Sequence, residues 1–439
     1  MVRKTSAGLF ASIYADRPHL AGSTRYDDFV TSRPPPEPVP CNLSKSSFSP
    51  DVYTKPYLDF MTNNPTVFHA VDWVGSRLTS AGYRHLSERD TWNTVLKPGG
   101  KYYTTRNGSA IIAFAVGEDY KPGNGIGIVA GHIDALTAKL KPIPTLQNKA
   151  GYVQLGVAPY AGGGVSSTWW DRDLGIGGRV LVKDLKTGKI ETQLVKLDWP
   201  IARIPTLAVH FGAAAQGPFN PETQMVPIIG LDNSDLSRSS TQASSKIPAG
   251  TFAATQPERL VRAIAGKMDV EDYSSIVNWE LELFDIQPAQ LGGLDKEFIF
   301  AGRIDDKLCS WAAIEALLAS SDDTSTGIIK MVGCFDNEEI GSFLRQGARS
   351  NFMSSVVERI CEGLSDNAKG SFGSMVESPS CGPNLLSQVL ANSFLVSSDV
   401  CHAVNPNFLG VYLENHSPRL NVGIAVTVSP SVHGTRTKS

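Results

Sequence analysis

The sequence predicts an α/β protein: a three-layer sandwich around a largely parallel sheet, interrupted by a β-rich second domain. Three observations carry this expectation. Apolar, β-branched runs alternate with amphipathic helical segments in the first and last parts of the chain. A glycine-rich stretch of different texture separates those parts. Histidine and acidic residues collect at the ends of the strand-type runs, where open α/β sheets bind ligands.

The chain has 439 residues, room for two or three domains. Forty basic against 43 acidic residues argue against a nucleic-acid or anionic-membrane partner. No apolar stretch approaches the ~18 residues of a membrane span. Six scattered cysteines without a C-x-x-C pair speak against a disulfide framework and for a reducing compartment.

Residues 1–49 lack periodicity and include the extended spacer "RPPPEPVP", so they read as a disordered or targeting arm. The first part of the main domain is expected over 50–139. There "NPTVFHAVDWVGSRLTSAGY" predicts a helix, with Pro65 in its first turn, Val67, Val71, Val74 and Leu78 along one face, and Gly82 ending it. "SAIIAFAVG" and "IGIVAGHID" predict strands, the second running into His132 and Asp134. Residues 140–296 form the expected β-rich insertion, broken by the Ser-rich loop "DNSDLSRSSTQASSK". Over 297–439 the alternation returns. A helix is expected near "DDKLCSWAAIEALLASS" and a strand at "TGIIKMVGCF". A second helix follows near "NFMSSVVERICEGL", then a strand at "SFLVSSDV" ending at Asp399. The glycines of "GNGIGIVAG" precede a strand instead of following one, which fails the context of a dinucleotide loop.

Four strand ends therefore carry metal-type side chains: His132 and Asp134, Asp305 and Asp306, Glu338 and Glu339, and Asp399 with His402. Adjacent carboxylates beside a core repel one another unless a cation compensates them. A pair of divalent ions would do so, with one carboxylate bridging and a further, unligated carboxylate accepting a proton from the activated water. Each element alone has a plainer reading: "EE" as a charged turn, "DD" as a helix N-cap, H-x-D as a structural hydrogen bond. Four at once favour the metal site. No G-x-S-x-G supports a serine nucleophile, and no cysteine sits in an activating context.

The blocks "AGHIDAL", "STWWDRDLGIGGRVLVKD", "RIPTLAVH", "GRIDDKLCSWAA", "FDNEEIGS", "SSDVCHAVNPNF" and "ENHSPRLNVG" resemble, in order and spacing, the aspartyl aminopeptidase and vacuolar aminopeptidase I family, from about residue 50 onward. The resemblance implies a zinc-dependent exopeptidase whose proteolytic domain is interrupted by a β-rich dimerisation domain. It implies dimers assembling into a dodecamer, peptide substrates, two zinc ions per subunit and a cytoplasmic or vacuolar setting. Carried over motif by motif, His132, Asp305 and Asp399 would bind the first ion, Asp305 bridging, and Glu339 the second. Glu338 would be the general base, and Asp134 would orient His132. His210 would reach a neighbouring subunit's site and contact the substrate.

Two departures stand out. The family places a further metal-binding histidine in a methionine-histidine motif near its end, and "SPSVHGTRTKS" offers only His433, in a different setting. This leads us to expect that the C-terminal segment is missing, with a catalytically inactive assembly subunit as the alternative function. "RLNVGIAVTV" carries Arg419 but is otherwise neutral, which points to a neutral or apolar N-terminal residue on the substrate.

Overall fold

The computed structural model describes residues 49, 51–161, 167–232, 247–371, 383–415 and 417–427. The Pro-rich spacer, the "GGG" of the insertion, most of its Ser-rich loop, and His433 lie outside them. Two helices open the described chain, α1 (Asp51–Asn63) and α2 (Val67–Ser80). Strands β1 (Arg84–His85), β2 (Lys101–Arg106), β3 (Ala110–Val116) and β4 (Ile126–His132) follow. The insertion contains β5 (Thr137–Thr145), β6 (Tyr152–Tyr160), β7 (Leu174–Lys183), β8 (Ile190–Ala202), β9 (Ile228–Leu231), α3 (Glu258–Lys267) and β10 (Ile276–Asp285). A hairpin of β11 (Gln290–Gly292) and β12 (Phe298–Phe300) returns to α4 (Ile304–Ser320), β13 (Ile329–Phe335), α5 (Phe352–Ser371), α6 (Pro383–Ala391) and β14 (Phe394–Ser397).

The central sheet has the order β1-β2-β3-β13-β4-β14. The β1–β2, β13–β4 and β14–β4 ladders are parallel, and β2–β3 and β13–β3 are antiparallel. The sheet is thus mixed, with its parallel half around β4. Strand β3, "AIIAFAV", is buried along its whole length, and its side chains divide by period two. Ile111 and Ala113 join a core with α1, α2 and α4, while Ile112, Phe114 and Val116 join a second core with α5 and α6. Helices on both faces make the three layers.

Helix α2 is capped by Thr66, whose hydroxyl oxygen accepts the His69 N–H (3.3 Å), so Pro65 stands just before the cap instead of inside the first turn. Gly82 (φ +82) ends the segment as expected. Helix α1 has no counterpart in the sequence expectation. Pro56 lies inside it, and packing of Tyr57, Phe60 and Met61 overrides that local penalty. The expected strand at "SFLVSSDV" ends at Ser397, two residues before Asp399.

The inserted sheet is wholly antiparallel, in the order β8-β7-β10-β5-β6-β9, and buries its own core against α3. Its first strand starts at Thr137, a few residues earlier than the texture change suggested. Arg179 of β7 ties it to the main sheet by donating to Asn107 O (2.7 Å) and lying over the Phe68 ring. Among the described residues, no helix is long and apolar enough to cross a membrane.

One buried ion pair locks α2 to α4: Arg77 Nε and Nη2 each donate to a Glu315 carboxylate oxygen at 3.1 Å. Both side chains are about 95% buried, at 4% and 5% exposure. Glu315→Ala removes the carboxylate that the buried Arg77 guanidinium faces and is expected to lower unfolding free energy by about 3–5 kcal/mol. Urea denaturation reads this, and an unchanged midpoint would remove the pair from the account of how the two helices are coupled.

Candidate active site

Strand β4 lies between β13 and β14, all three parallel, so their carboxyl ends open on the same edge of the sheet. Phe335 of β13 is in register with His132, and the Ser398 N–H donates to Ala130 O at 2.7 Å. These two ladders carry the chain from β13 into Asp336–Glu339 and from β14 into Asp399, on either side of His132. Asp305 and Asp306 stand at the start of α4 in non-helical backbone, where helix N-termini favour carboxylates. Ser310, one turn further, donates its hydroxyl to His132 O (2.7 Å) and anchors the strand end.

The structure brings the predicted residues together around one buried imidazole. His132 Nδ1 lies 3.2 Å from Asp134 Oδ1 and 3.2 Å from Asp134 O. On the other side Nε2 lies 3.0 Å from Asp305 Oδ1, 3.7 Å from Asp399 Oδ1 and 3.8 Å from Glu338 Oε2. Asp134 is itself buried, and both of its oxygens are used again. Oδ1 accepts the backbone N–H of Glu338 and Oδ2 that of Glu339, each at 3.3 Å. Asp134 therefore holds the histidine and the glutamate turn at once.

Glu338 and Glu339 leave β13 through a left-handed residue, Asn337 (φ 67), into a short 3-10 turn, Glu338–Ile340, ended by Gly341 (φ 106). Consecutive side chains in such a turn need not point to opposite faces as they would in a strand. Glu338 approaches His132, and Glu339 lines a cavity of about 410 Å³ beside Asp305. At Gly131 a side chain would meet Ser398 O at 2.9 Å and Asp306 Oδ2 at 3.1 Å, so the close approach of α4 to β4 requires glycine.

Asp306 carries a contact that the resemblance left aside. Its Oδ1 caps α4 by accepting the Cys309 N–H (3.2 Å), while Oδ2 is buried without a hydrogen-bond partner. Ligand-type atoms of His132, Asp306 and Asp399 lie within 4.8 Å of one another. Both aspartates of "DDK" thus face the cluster, Asp305 from the open side and Asp306 from below.

Burial, with Asp305 and Asp134 nearby, pushes the Glu339 carboxyl up to about 7. Burial and Asp399 also raise Asp306 to about 7, while burial and Asp134 raise Asp336 to about 6. Burial works against protonation of His132, but Asp134, Asp305 and Asp399 outweigh it and raise the imidazole far above its ordinary range. This pattern fits a cation site. With Nδ1–H given to Asp134, Nε2 is left facing carboxylate oxygens, an arrangement satisfied by a proton or by a metal ion between them. The set of one imidazole and several carboxylates suits zinc.

His210 stands apart, exposed on the Val209–Ala215 turn and stacked on Phe211 with centroids 4.8 Å apart. His402 is exposed as well. His132 is the histidine that the cluster contains among the described residues. Sequence reasoning passed over Tyr160, whose hydroxyl lies 3.3 Å from Asp134 Oδ2 and 3.2 Å from Asp336 Oδ1. No linear signal points to it, since 26 residues separate it from Asp134.

Fold and cluster define a class: an α/β protein with a metal-type donor set at the carboxyl ends of its parallel strands. Comparison with known proteins makes the class specific. The sequence profile of the aminopeptidase I zinc metalloproteases (M18) matches residues 60–439, and the chain belongs to that family of aminopeptidases. It is 39% identical to vacuolar aminopeptidase 1 of Saccharomyces cerevisiae, over 86% of this chain and 71% of that protein. With the aspartyl aminopeptidase of Aspergillus oryzae it shares 38% identity, over 85% of this chain and 76% of the relative. A solved structure of Chaetomium thermophilum mApe1 superposes with a TM-score of 0.79 at 59% identity, covering 85% and 80% of the two chains. The Saccharomyces mApe1 dodecamer gives a TM-score of 0.70 at 35% identity, covering 84% and 76%.

The raised carboxyls set a pH dependence. Glu339 and Asp306 hold protons above their ordinary values of 4.5 and 3.8. Their contribution to stability is complete below those values and is lost as pH rises through about 7; His132 adds a loss of the same sign above its ordinary 6.5. Chelator-treated protein is therefore expected to melt at progressively lower temperature from about pH 5 to about pH 8, and added zinc to remove most of that slope. A flat melting profile without zinc would contradict this electrostatic picture.

Proposed function

We propose that this chain is a zinc-dependent aminopeptidase that removes the N-terminal residue from peptides, with Glu338 as general base. The convergence of Asp305, Asp399 and Glu338 on His132 Nε2 carries the reading. In this proposal His132, Asp305, Asp399 and Glu339 would hold the zinc. When bound, zinc supplies Lewis acidity to the scissile carbonyl and acidifies water.

The remaining work falls to the chain. Glu338 accepts the proton of the attacking water on its carboxylate and returns it to the nitrogen of the leaving amine as the C–N bond breaks. Burial raises its basicity against the opposing charge of His132, and the carboxylates of Asp134, Asp399 and Asp305 raise it further. Asp134 keeps Nδ1 of His132 as a donor, so Nε2 faces the ion. It also holds the backbone of Glu338 and Glu339 in one register.

A neutral or apolar first residue suits the cavity, whose walls include Val67, Leu136, Trp169, Leu283 and Phe284. Its two guanidinium groups are already engaged: Arg172 pairs with the Asp285 carboxylate, and Arg303 donates to Asp285 O and Met61 O. The apolar, exposed turn around His210, with Val209 at 87% exposure and Phe211 at 60%, suits burial in an assembly of identical subunits. We place that assembly as dimers forming a dodecamer, with the β-rich insertion as the dimerisation domain and His210 reaching the neighbouring subunit's substrate. The vacuole or the cytoplasm is the expected setting. The gathered donor set favours an active enzyme over an inactive assembly subunit.

Glu338→Gln is expected to retain zinc, by elemental analysis, and to lower kcat on leucyl peptides by about 10²–10⁴-fold. Loss of zinc in this variant would instead exchange the roles of the two glutamates. His210→Ala should keep its zinc and lose on the order of 10²-fold in turnover; an unchanged rate rules out the cross-subunit contact.

A further inference from the structure

We propose that Tyr160, supplied by the inserted sheet, is a positioning residue for the catalytic cluster. Its kinetic consequences rest on the peptidase function above, while its effect on metal binding does not. Tyr160 ends β6 and pairs in the antiparallel ladder with Thr137 of β5, which follows closely on Asp134. A slip of one residue in that ladder would turn the ring to the opposite face of the sheet. The ring is buried, with Lys139 Nζ lying 4.3 Å from its centroid, and Lys139 Nζ donates to Glu280 at 3.1 Å. Tyr160 therefore approaches the site as a fixed part of the insertion.

The hydroxyl makes three contacts. It accepts an N–H from Asn337 Nδ2 (2.8 Å), and it lies 3.3 Å from Asp134 Oδ2 and 3.2 Å from Asp336 Oδ1. Its one proton serves either carboxylate, and its oxygen stands between the two. Asp134 Oδ2 is the oxygen that accepts the Glu339 N–H, and Asn337 is the left-handed residue that turns the chain into Glu338. The hydroxyl thus closes a ring of contacts from Asp134 through the glutamate turn to Asn337 and back. Asn337 Oδ1 is already buried without a partner, so removing the hydroxyl leaves the amide with no side-chain partner at either end. The turn would lose its tether on the side away from the reacting atoms. Tyr160 touches neither His132 nor Glu338 in these contacts, so its action passes through Asp134 and Asn337.

The test compares Tyr160→Phe with Tyr120→Phe, whose hydroxyl donates to Asn124 O (3.4 Å) away from the cluster. Tyr160→Phe is expected to lower kcat by about 10–100-fold with KM nearly unchanged, and to weaken cobalt(II) binding, followed by visible absorption, by about tenfold. Tyr120→Phe should leave both as in the parent. Asn337→Gly accepts the left-handed backbone while removing the amide, and should reproduce both losses even if Tyr160→Phe fails to fold. Parental kcat and parental cobalt affinity in either folded variant would overturn the proposal. If the parent chain cleaves no peptide, the peptidase function fails by itself, and the cobalt titrations alone decide the role of Tyr160.

Discussion

Mutual repulsion among carboxylates crowded around one imidazole is the constraint that the rest of the structure answers. Asp305, Asp399 and Glu338 approach a single nitrogen, His132 Nε2, and Asp134 occupies the other ring nitrogen. Such a cluster would spread apart if its members sat on compliant loops. Here each hangs from a regular element: β4 and β13 are held by the ladder between them and by the core, the exposed edge strand β14 by its pairing with β4, and α4 by its packing beneath the sheet. Rigid elements let the fold store the repulsion, and a cation releases it.

Asp134 is the centre of that support. A carboxylate that orients a metal-bound histidine is a familiar arrangement. Asp134 lies within hydrogen-bond distance of His132 Nδ1 and also accepts both backbone N–H groups of the glutamate pair. A shift of Asp134 would therefore move His132 and the glutamates together. Tyr160 brings the inserted sheet into the same network, so the insertion is joined to the chemistry as well as to the surface of the main domain.

Much of this was legible along the chain. The strongly apolar strands β3 and β13 announced themselves because burial on both faces demands continuous apolar runs, and the half-buried β4 by its apolar run into His132. Helices α2 and α4 and the texture change into the insertion were also readable. Helix α1 was not, since Pro56 masks a segment held by tertiary packing. The two-residue strand β1 is too short to carry a periodic signal, and β2 was absent from the expectation as well. At the site, residue types at expected strand ends pointed to His132, Asp134, Asp305, Asp306, Glu338, Glu339, Asp399 and His402, of which the structure leaves His402 exposed. For Asp306 the sequence offered both a place in the cluster and the plainer one of helix cap; the structure shows the cap and sets a carboxylate oxygen near His132 and Asp399.

The sequence by itself pointed to the class of chemistry, because apolar runs ending in histidine and carboxylates can be recognised locally; three of the four expected strand ends share an edge, while Asp305 and Asp306 come from the start of α4. It also determined that an unlike domain interrupts the main one. Only the tertiary structure decided which oxygens face which nitrogen, and that Tyr160 belongs with Asp134. The physical reason is that strand order and ladder register bring distant segments together, and neither is written in any local stretch of residues.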